Sequence, residues 1–155
     1  MSKITVGDKI PSLEFQSTDE TMTSFAALLG RKIVLYFYPK DNTPGCTMES
    51  KDFRDLNRDF LKANTQIIGV SRDSLGSHEK FCSKFSLPFP LITDKDEVVC
   101  NAFGVIIEKN MFARLVFGIE RSTFLIDEKG VIRQVWRKVK VKGHAQAVLE
   151  AAKAL

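Results

Sequence analysis

Cys46 is the residue with the clearest chemical potential. It lies in residues 38–50, YPKDNTPGCTMES, directly after the apolar run 33–37. Thr43 can serve as the N-cap of a following helix, and Pro44 can occupy the first helical position. Cys46 then falls in the first turn, where free amides and the helix dipole stabilise a thiolate, the reactive form of cysteine. The local sequence therefore favours a reactive cysteine over a buried structural thiol, but it names no reaction.

Other roles for Cys46 depend on partners elsewhere in the chain. The remaining cysteines are Cys82 and Cys100, and no Cys-x-x-Cys pair occurs, so a dithiol motif of that kind is absent. The histidines, His78 and His144, lack metal-ligand spacing to a cysteine, which argues against a zinc or iron–sulfur site. A Cys–His hydrolase requires the fold to bring a histidine to Cys46. The odd number of cysteines argues against a secreted disulfide framework and predicts a reducing compartment, which we expect to be the cytoplasm.

The composition is typical of a globular domain. The 155 residues are 44% hydrophobic and 27% charged, with a net charge of +4. No repeat, linker or low-complexity tract divides the chain, so we expect a single domain over 1–155. No targeting segment is visible, and no stretch approaches the about 20 apolar residues that span a bilayer. The densest basic run, 133–142, is interpreted as a strand with charged edges, and phosphate contact is its alternative.

The elements that must position Cys46 are predicted from hydrophobic periodicity. Residues 33–38 are apolar on both alternating sets, as in a strand covered on both faces. Residues 43–62 carry the apolar stripe of a helix at Phe53, Leu56 and Phe60. The order β-α-β-α-β and then β-β-α predicts an α/β domain with helices on both faces of a mixed sheet. The other predicted elements are an N-terminal meander (13–23), a short helix (23–30), a strand (65–71), a helix (73–85), an extended segment (88–94), a short helix (97–103), a hairpin (121–136) and a C-terminal helix (143–155).

The order of Pro39, Thr43 and Cys46, P-x-x-x-T-x-x-C, resembles the active-site loop of the peroxiredoxins. The longer string YFYPKDNTPGCT is similar to the branch called bacterioferritin comigratory protein, or peroxiredoxin Q. The similarity continues through FRDL, IIGVSRDSLGSHEKFC, LPFPLITD and the stretch 118–155, which begins GIERSTFLIDEKG, and so covers nearly the whole chain. It implies a thioredoxin-like fold, with a central mixed β-sheet, flanking helices and an N-terminal extension. It also implies a thiol-dependent peroxidase that reduces hydrogen peroxide and organic hydroperoxides without a metal or an organic cofactor.

The resemblance assigns a role to each matching residue. Cys46 would be the peroxidatic cysteine, whose thiolate attacks the peroxide and becomes a sulfenic acid. The Thr43 hydroxyl would hold the peroxide, and Pro39 would shield the sulfur from water. Arg121, in GIERSTF, would stabilise the thiolate and the leaving oxygen with fixed donors. Backbone N–H groups at Gly45 and Cys46 would add further donors.

Glu49 lies three residues after Cys46, on the same face of the predicted helix. By resemblance it would orient Arg121. Its alternative is an exposed first-turn acid favoured by the helix dipole.

The resemblance also implies how the sulfenic acid is resolved. One subset of the family has its second cysteine on the same helix, but Lys51 occupies that position here. Another subset has it on the next helix, and Cys82 matches that position, which implies a Cys46–Cys82 disulfide. Because a disulfide needs Cα atoms within about 7 Å, we expect the first turn around Cys46 and the helix around Cys82 to unwind locally. Cys100, in EVVCNAF, is interpreted as a buried inert thiol. The expected partners are peroxide and thioredoxin or a similar dithiol donor, and the expected oligomeric state is a monomer.

Two other classes of function remain as alternatives to the enzyme. The first is a non-catalytic thioredoxin-fold module whose cysteine senses oxidants for a partner. The second is nucleic-acid binding through the run 133–142, which would show a salt-dependent affinity. We expect neither nucleic acid nor membrane as a partner.

Overall fold

A six-stranded mixed sheet organises the protein. The structure, a computed structural model, describes residues 3–155. The strand order is β1-β4-β3-β2-β7-β8, and a separate hairpin is formed by β5 and β6. The strands are β1 (Gln16–Ser17), β2 (Lys32–Phe37), β3 (Thr65–Ser71), β4 (Leu91–Thr93), β5 (Ile106–Met111), β6 (Arg114–Ile119), β7 (Ser122–Ile126) and β8 (Ile132–Trp136). The helices are α1 (Pro44–Lys62), α2 (Leu75–Phe85), α3 (Val98–Ala102) and α4 (His144–Lys153).

The central strand β2 is buried along its whole length, as its apolar run predicts. It pairs in parallel with β3 and antiparallel with β7. Because side chains alternate across a strand, Val34 and Tyr36 enter the core on one face of the sheet, and Leu35 and Phe37 enter the core on the other. The first core contains side chains of α1, α2 and α4, and the second contains side chains of α3 and the N-terminal segment.

The long helices follow their predicted ranges closely. Helix α1 buries Phe53 and Phe60 of the predicted stripe, and Pro44 occupies its first turn. Helix α2 begins after the N-cap Ser74, whose side chain accepts a hydrogen bond from the Ser77 N–H. Within the described residues, no helix combines the length and the apolar character required to cross a membrane.

The structure differs from the predicted elements at three places. The N-terminal meander contributes only the two-residue strand β1, which pairs with β4. The predicted helix at 23–30 is a single 3₁₀ turn, Ala26–Leu28. The β5–β6 hairpin was not predicted at all; its turn residues, Phe112 and Ala113, have φ of +53° and +62°, values that favour Asn or Gly.

The basic run 133–142 begins in β8, at an edge of the sheet, and continues into the following loop. Arg133 pairs with Asp127 at 3.3 Å. Arg137 donates hydrogen bonds to the carbonyls of Ile4, Phe103 and Gly104. The prediction of a strand with charged edges is therefore confirmed, and one of its arginines holds the N-terminal segment against the body.

Candidate active site

Cys46 lies in the first turn of α1, beyond the end of the buried strand β2. Its side chain is only 1% exposed. The first backbone hydrogen bond of the helix runs from the Thr47 N–H to the Thr43 carbonyl, at 2.8 Å. The N–H groups of Gly45 and Cys46 therefore precede the helical ladder and belong to the positive end of the helix. A buried strand followed directly by a Pro-initiated helix is the local reason for this placement.

Arg121 reaches Cys46 because of the β2–β7 pairing. Phe37 lies opposite Ser122 in the antiparallel register, so Arg121, just before β7, meets the loop that follows β2. Its carbonyl accepts a hydrogen bond from the Val139 N–H at 3.0 Å, which fixes its backbone. The guanidinium Nη2 donates to Cys46 Sγ at 3.5 Å. The β2–β7 pairing therefore brings a positively charged side chain from the start of β7 into contact with the thiol that follows β2.

The other arm of the guanidinium contacts Glu49. Arg121 Nη1 lies 2.7 Å from Glu49 Oε1. Glu49 is 1% exposed, so the alternative of an exposed first-turn acid is wrong. Burial raises the pKa of Glu49 to about 7, although the charge and hydrogen bond of Arg121 act in the opposite direction. Its second oxygen, Oε2, has no hydrogen-bond partner among the described residues.

Thr43 is the N-cap of α1 by its backbone conformation, but its side chain does not cap the helix. Instead, the Thr43 hydroxyl donates to the Lys40 carbonyl at 2.9 Å. The prediction that Thr43 is the N-cap residue is confirmed, although its hydroxyl makes no capping hydrogen bond in this conformation. The hydroxyl proton is engaged within the loop, and the oxygen lone pairs remain as acceptors. Pro39 lies half-buried in the same loop.

The three cysteines are free thiols on two different sides of the sheet. Cys46 belongs to the core shared by α1, α2 and α4, and Cys82 packs against that same core. Cys100 belongs to the core on the opposite face. Burial raises the pKa of Cys82 to about 11. The pKa of Cys100 is raised even further, by burial first and then by Asp94, in keeping with an inert buried thiol.

A buried polar network joins the active-site loop to α2. Asp41 accepts hydrogen bonds from the Tyr38 hydroxyl at 2.6 Å and the Ser77 hydroxyl at 2.8 Å. Its Oδ2 also lies 2.7 Å from His78 Nδ1, while His78 Nε2 lies 2.9 Å from the Ile92 carbonyl. Sequence reasoning missed this network, because a loop aspartate and a helix histidine 37 residues apart form no motif.

Both histidines therefore have partners other than Cys46. His144 Nε2 is 2.8 Å from the Thr123 hydroxyl. Burial, and secondarily Arg121, lowers the pKa of His144 to about 4, so that its imidazole is neutral near pH 7. A Cys–His hydrolase arrangement is not formed.

Asp41, Asp73 and His78 could in principle offer three metal ligands, since their polar atoms lie within 4.8 Å of one another. The 2.7 Å separation of Asp41 Oδ2 and His78 Nδ1 is a hydrogen-bond distance with a proton between the atoms. Asp73 Oδ2 already accepts the Asp41 N–H at 2.9 Å. The donor set therefore fits a hydrogen-bonded network better than a metal site.

The thioredoxin-like sheet and the contact between a buried first-turn thiol and a guanidinium indicate a thiol-dependent peroxidase. The model of the AhpC/TSA family matches residues 6–135. The chain belongs to that family, and it is a peroxiredoxin of the bacterioferritin comigratory protein and peroxiredoxin Q branch. The thioredoxin-like fold and the enzymatic class implied by the resemblance are both confirmed.

The relatives cover most of the chain. Peroxiredoxin Bcp of Xanthomonas campestris pv. campestris is 57% identical over 134 residues, which are 86% of this chain and 84% of the relative. Peroxiredoxin Bcp of Bacillus subtilis is 46% identical over 150 residues, 97% of this chain and 96% of the relative. The solved structure of a Xylella fastidiosa PrxQ variant has a TM-score of 0.93 and 43% identity, and the match covers 99% of this chain and 98% of that one.

One solved relative bears on substrate. The structures of the Xanthomonas campestris bacterioferritin comigratory protein address its alkyl peroxide reduction activity, with trapped intermediate and ligand complexes. That structure has a TM-score of 0.88 and 53% identity, covering 92% of this chain and 90% of the other.

Proposed function

We propose that this peroxiredoxin reduces hydrogen peroxide and organic hydroperoxides through Cys46. The observation that carries the proposal is the 3.5 Å contact between Arg121 Nη2 and Cys46 Sγ in a buried first turn. The guanidinium and the helix terminus place positive charge and hydrogen-bond donors beside the sulfur. The thiolate attacks the terminal peroxide oxygen, an S–O bond forms, and the O–O bond breaks. The products are a Cys46 sulfenic acid and water or an alcohol.

The surrounding groups divide the work of positioning the peroxide. The Thr43 oxygen, with its proton donated to Lys40 in this conformation, accepts a hydrogen bond from the terminal peroxide O–H. The N–H groups of Gly45 and Cys46, together with Arg121, donate to the oxygens on which charge develops. Pro39, half-buried beside them, shields the sulfur from bulk water.

Glu49 orients Arg121 in this scheme. Its Oε1 accepts from Nη1 at 2.7 Å while Nη2 faces the sulfur. Because the guanidinium is planar, the hydrogen bond from Nη1 to Glu49 also restricts the position of Nη2. The Nη2 donor is therefore preorganised beside the sulfur before the reaction begins.

The sulfenic acid is resolved by Cys82 in an intramolecular disulfide. The shared core of Cys46 and Cys82, and the separation of Cys100 by the sheet, support this pairing. The two thiols lie on separate helices, and both are free in the structure. Their Cα atoms must come within about 7 Å, so we propose that the first turn of α1 and the helix around Cys82 unwind locally.

Electrons come from thioredoxin or a similar dithiol donor. Cys82 is half-buried and lines a surface groove of about 510 Å³ with Pro88 and Phe89, which gives a donor thiol a route to it. An intramolecular resolving thiol needs no second subunit, so we propose a monomer. We further propose one domain over 1–155, a cytoplasmic location, no metal or organic cofactor, and neither nucleic acid nor membrane as partner.

Mass spectrometry after one equivalent of peroxide tests the cysteine assignments. Wild-type protein should form a Cys46–Cys82 disulfide, and the Cys82→Ser variant should accumulate sulfenic acid at Cys46. The Cys100→Ser variant is the matched control and should form the same disulfide as wild type. Loss of the disulfide in Cys100→Ser protein would show that the pairing is wrong.

Turnover separates the enzyme from an oxidant sensor. With thioredoxin and its reductase in excess, the protein should consume many equivalents of peroxide, and the Cys46→Ser variant should consume none. A single stoichiometric oxidation would contradict catalysis.

A further inference from the structure

The active site contains one cation between two acids. Arg121 contacts both Cys46 Sγ and Glu49 Oε1, at 3.5 and 2.7 Å. If both acids were ionised, a buried site would hold two negative charges against one positive charge. A buried uncompensated charge is costly because the interior solvates it poorly.

No neighbouring described group supplies a second cation. Tyr36 of β2 is neutral, because burial raises its pKa well above the ordinary value. His144 of α4 is neutral near pH 7, as its lowered pKa shows. Asp52, on α1, adds a further negative charge that raises the pKa of Glu49. Among the charged side chains at this site, Arg121 is therefore the cation that balances the two acids.

The free carboxyl oxygen of Glu49 marks where a proton can reside. Glu49 Oε2 is the single buried side-chain nitrogen or oxygen without a hydrogen-bond partner in the described part of the chain. As a carboxylate it would leave a charged acceptor unsatisfied, whereas as a carboxylic acid it is uncharged and leaves an O–H donor free for an oxygen of the substrate. The raised pKa of Glu49, about 7, agrees with this geometry.

We propose that Cys46 and Glu49 share one proton: Glu49 holds it while Cys46 is a thiolate, and Glu49 gives it to the leaving oxygen when the sulfenic acid forms. This inference rests on the proposed role of Cys46 and adds a second role to that of orienting Arg121.

The step balances in atoms and charge. The Cys46 sulfur attacks the terminal oxygen of ROOH, an S–O bond forms, and the O–O electron pair leaves with RO⁻. The sulfur is oxidised by two electrons and the peroxide is reduced. RO⁻ takes the proton of Glu49 to give ROH, and the new Glu49 carboxylate pairs with Arg121. The site is neutral before the reaction, with thiolate, guanidinium and carboxylic acid, and neutral after it, with sulfenic acid, guanidinium and carboxylate.

The leaving group provides the test. Single-turnover rate constants for oxidation of Cys46 are measured with tert-butyl hydroperoxide, which releases a basic alkoxide, and with peracetic acid, which releases acetate and needs no proton. The Glu49→Gln variant keeps an oxygen to accept from Arg121 but cannot donate the proton. With the alkyl hydroperoxide its rate constant should fall ~100-fold, which is within the range of general acid catalysis. With the peracid, whose leaving group needs no proton, the rate constant should fall less than ~5-fold. Asp59→Asn, an exposed change on the same helix, should alter neither rate.

A purely orienting role predicts an equal loss with both oxidants, because Arg121 serves every peroxide alike. If the Glu49→Gln rate constant falls equally with both oxidants, or with neither, the proposal that Cys46 and Glu49 share a proton is wrong. Failure of the proposed function has a different signature, since Cys46→Ser protein would then still reduce peroxide.

Infrared difference spectroscopy gives a readout that does not depend on the folding of a Glu49 variant. Cys82→Ser protein, in which oxidation stops at the sulfenic acid, is measured at pH 7 before and after one equivalent of peroxide. The carbonyl band of a protonated carboxyl group should be present before oxidation and lost after it. Absence of the band in the reduced protein, or its persistence after oxidation, overturns the proposal.

Discussion

Adding a methyl group at Gly45 should slow the peroxide reaction without weakening the fold. Gly45 is the second residue of α1, and its φ lies outside the left-handed region. A Cβ there would lie 3.1 Å from Arg121 Nη2 and 3.9 Å from Arg121 Cζ. The guanidinium must therefore move by a few tenths of an ångström away from the added Cβ, which disturbs its contact with the Cys46 sulfur.

The magnitude follows from two opposing effects. Replacing Gly by Ala at a compatible position stabilises a protein by about 0.4–1 kcal/mol, because the unfolded chain loses freedom. The displaced Nη2 weakens a donor that already lies 3.5 Å from Sγ, and removing such a donor entirely costs about 10²–10³ in rate. For partial displacement in Gly45→Ala, we expect about a 10- to 100-fold fall in the rate constant of sulfenic acid formation. The free energy of unfolding should be equal to that of wild type or up to about 1 kcal/mol higher.

Stopped-flow oxidation and urea unfolding measure the two quantities separately. The fluorescence of Trp136, which packs 5.7 Å from His144 between ring centroids, offers an intrinsic signal. Gly76→Ala is the matched control, because Gly76 is the second residue of α2 and a Cβ there meets nothing within 4 Å. The control should gain the same stability and keep the wild-type rate of sulfenic acid formation. A wild-type rate in Gly45→Ala, or an equal loss in both variants, would refute the reasoning.

Three further predictions concern the loop and α2. Thr43→Val should slow oxidation of Cys46 by at least about 100-fold, whereas Thr43→Ser, which keeps the hydroxyl, should stay within about tenfold in the same stopped-flow assay. Burial raises the pKa of Cys82 to about 11, so the folded protein favours the protonated thiol. Its contribution to the free energy of unfolding is present below about pH 9 and is lost as pH rises through 11. Disulfide formation in the oxidised protein should therefore accelerate from pH 7 upward, by up to about tenfold per pH unit, in quenched-flow thiol trapping; a flat profile contradicts it. A double-mutant cycle of Asp41→Ala and His78→Ala, read by urea unfolding, should give a coupling of about 1–3 kcal/mol; additive losses would exclude a direct interaction.

Local patterns predicted most of the core elements and failed at the hairpin. The strands and helices around Cys46 were predictable, because full burial of β2 and the apolar stripe of α1 are properties of short segments. The β5–β6 hairpin lacks such a signal. Leu115, Val116 and Phe117 are all exposed, and Phe112 at the turn is 93% exposed. A hairpin exposed on both faces has no period-two alternation, and its Phe–Ala turn carries none of the usual turn residues.

The sequence by itself determined that the thiol lies in the first turn of a helix and which family the protein resembles. A buried strand, a proline at the first helical position and a cysteine in the first turn follow from neighbouring residues, so no tertiary contact is needed to predict them. The spacing of Pro39, Thr43 and Cys46, matched to a family, supplied the reaction.

Tertiary structure alone decided which partners surround that thiol. Arg121 lies 75 residues from Cys46 and reaches it through the antiparallel register of β2 and β7. The same sheet sorts Cys82 and Cys100 onto opposite faces, and close packing buries Glu49 against a single cation. Register and layer order arise from pairing between distant strands, which no local pattern specifies, and these features set the charge balance of the site.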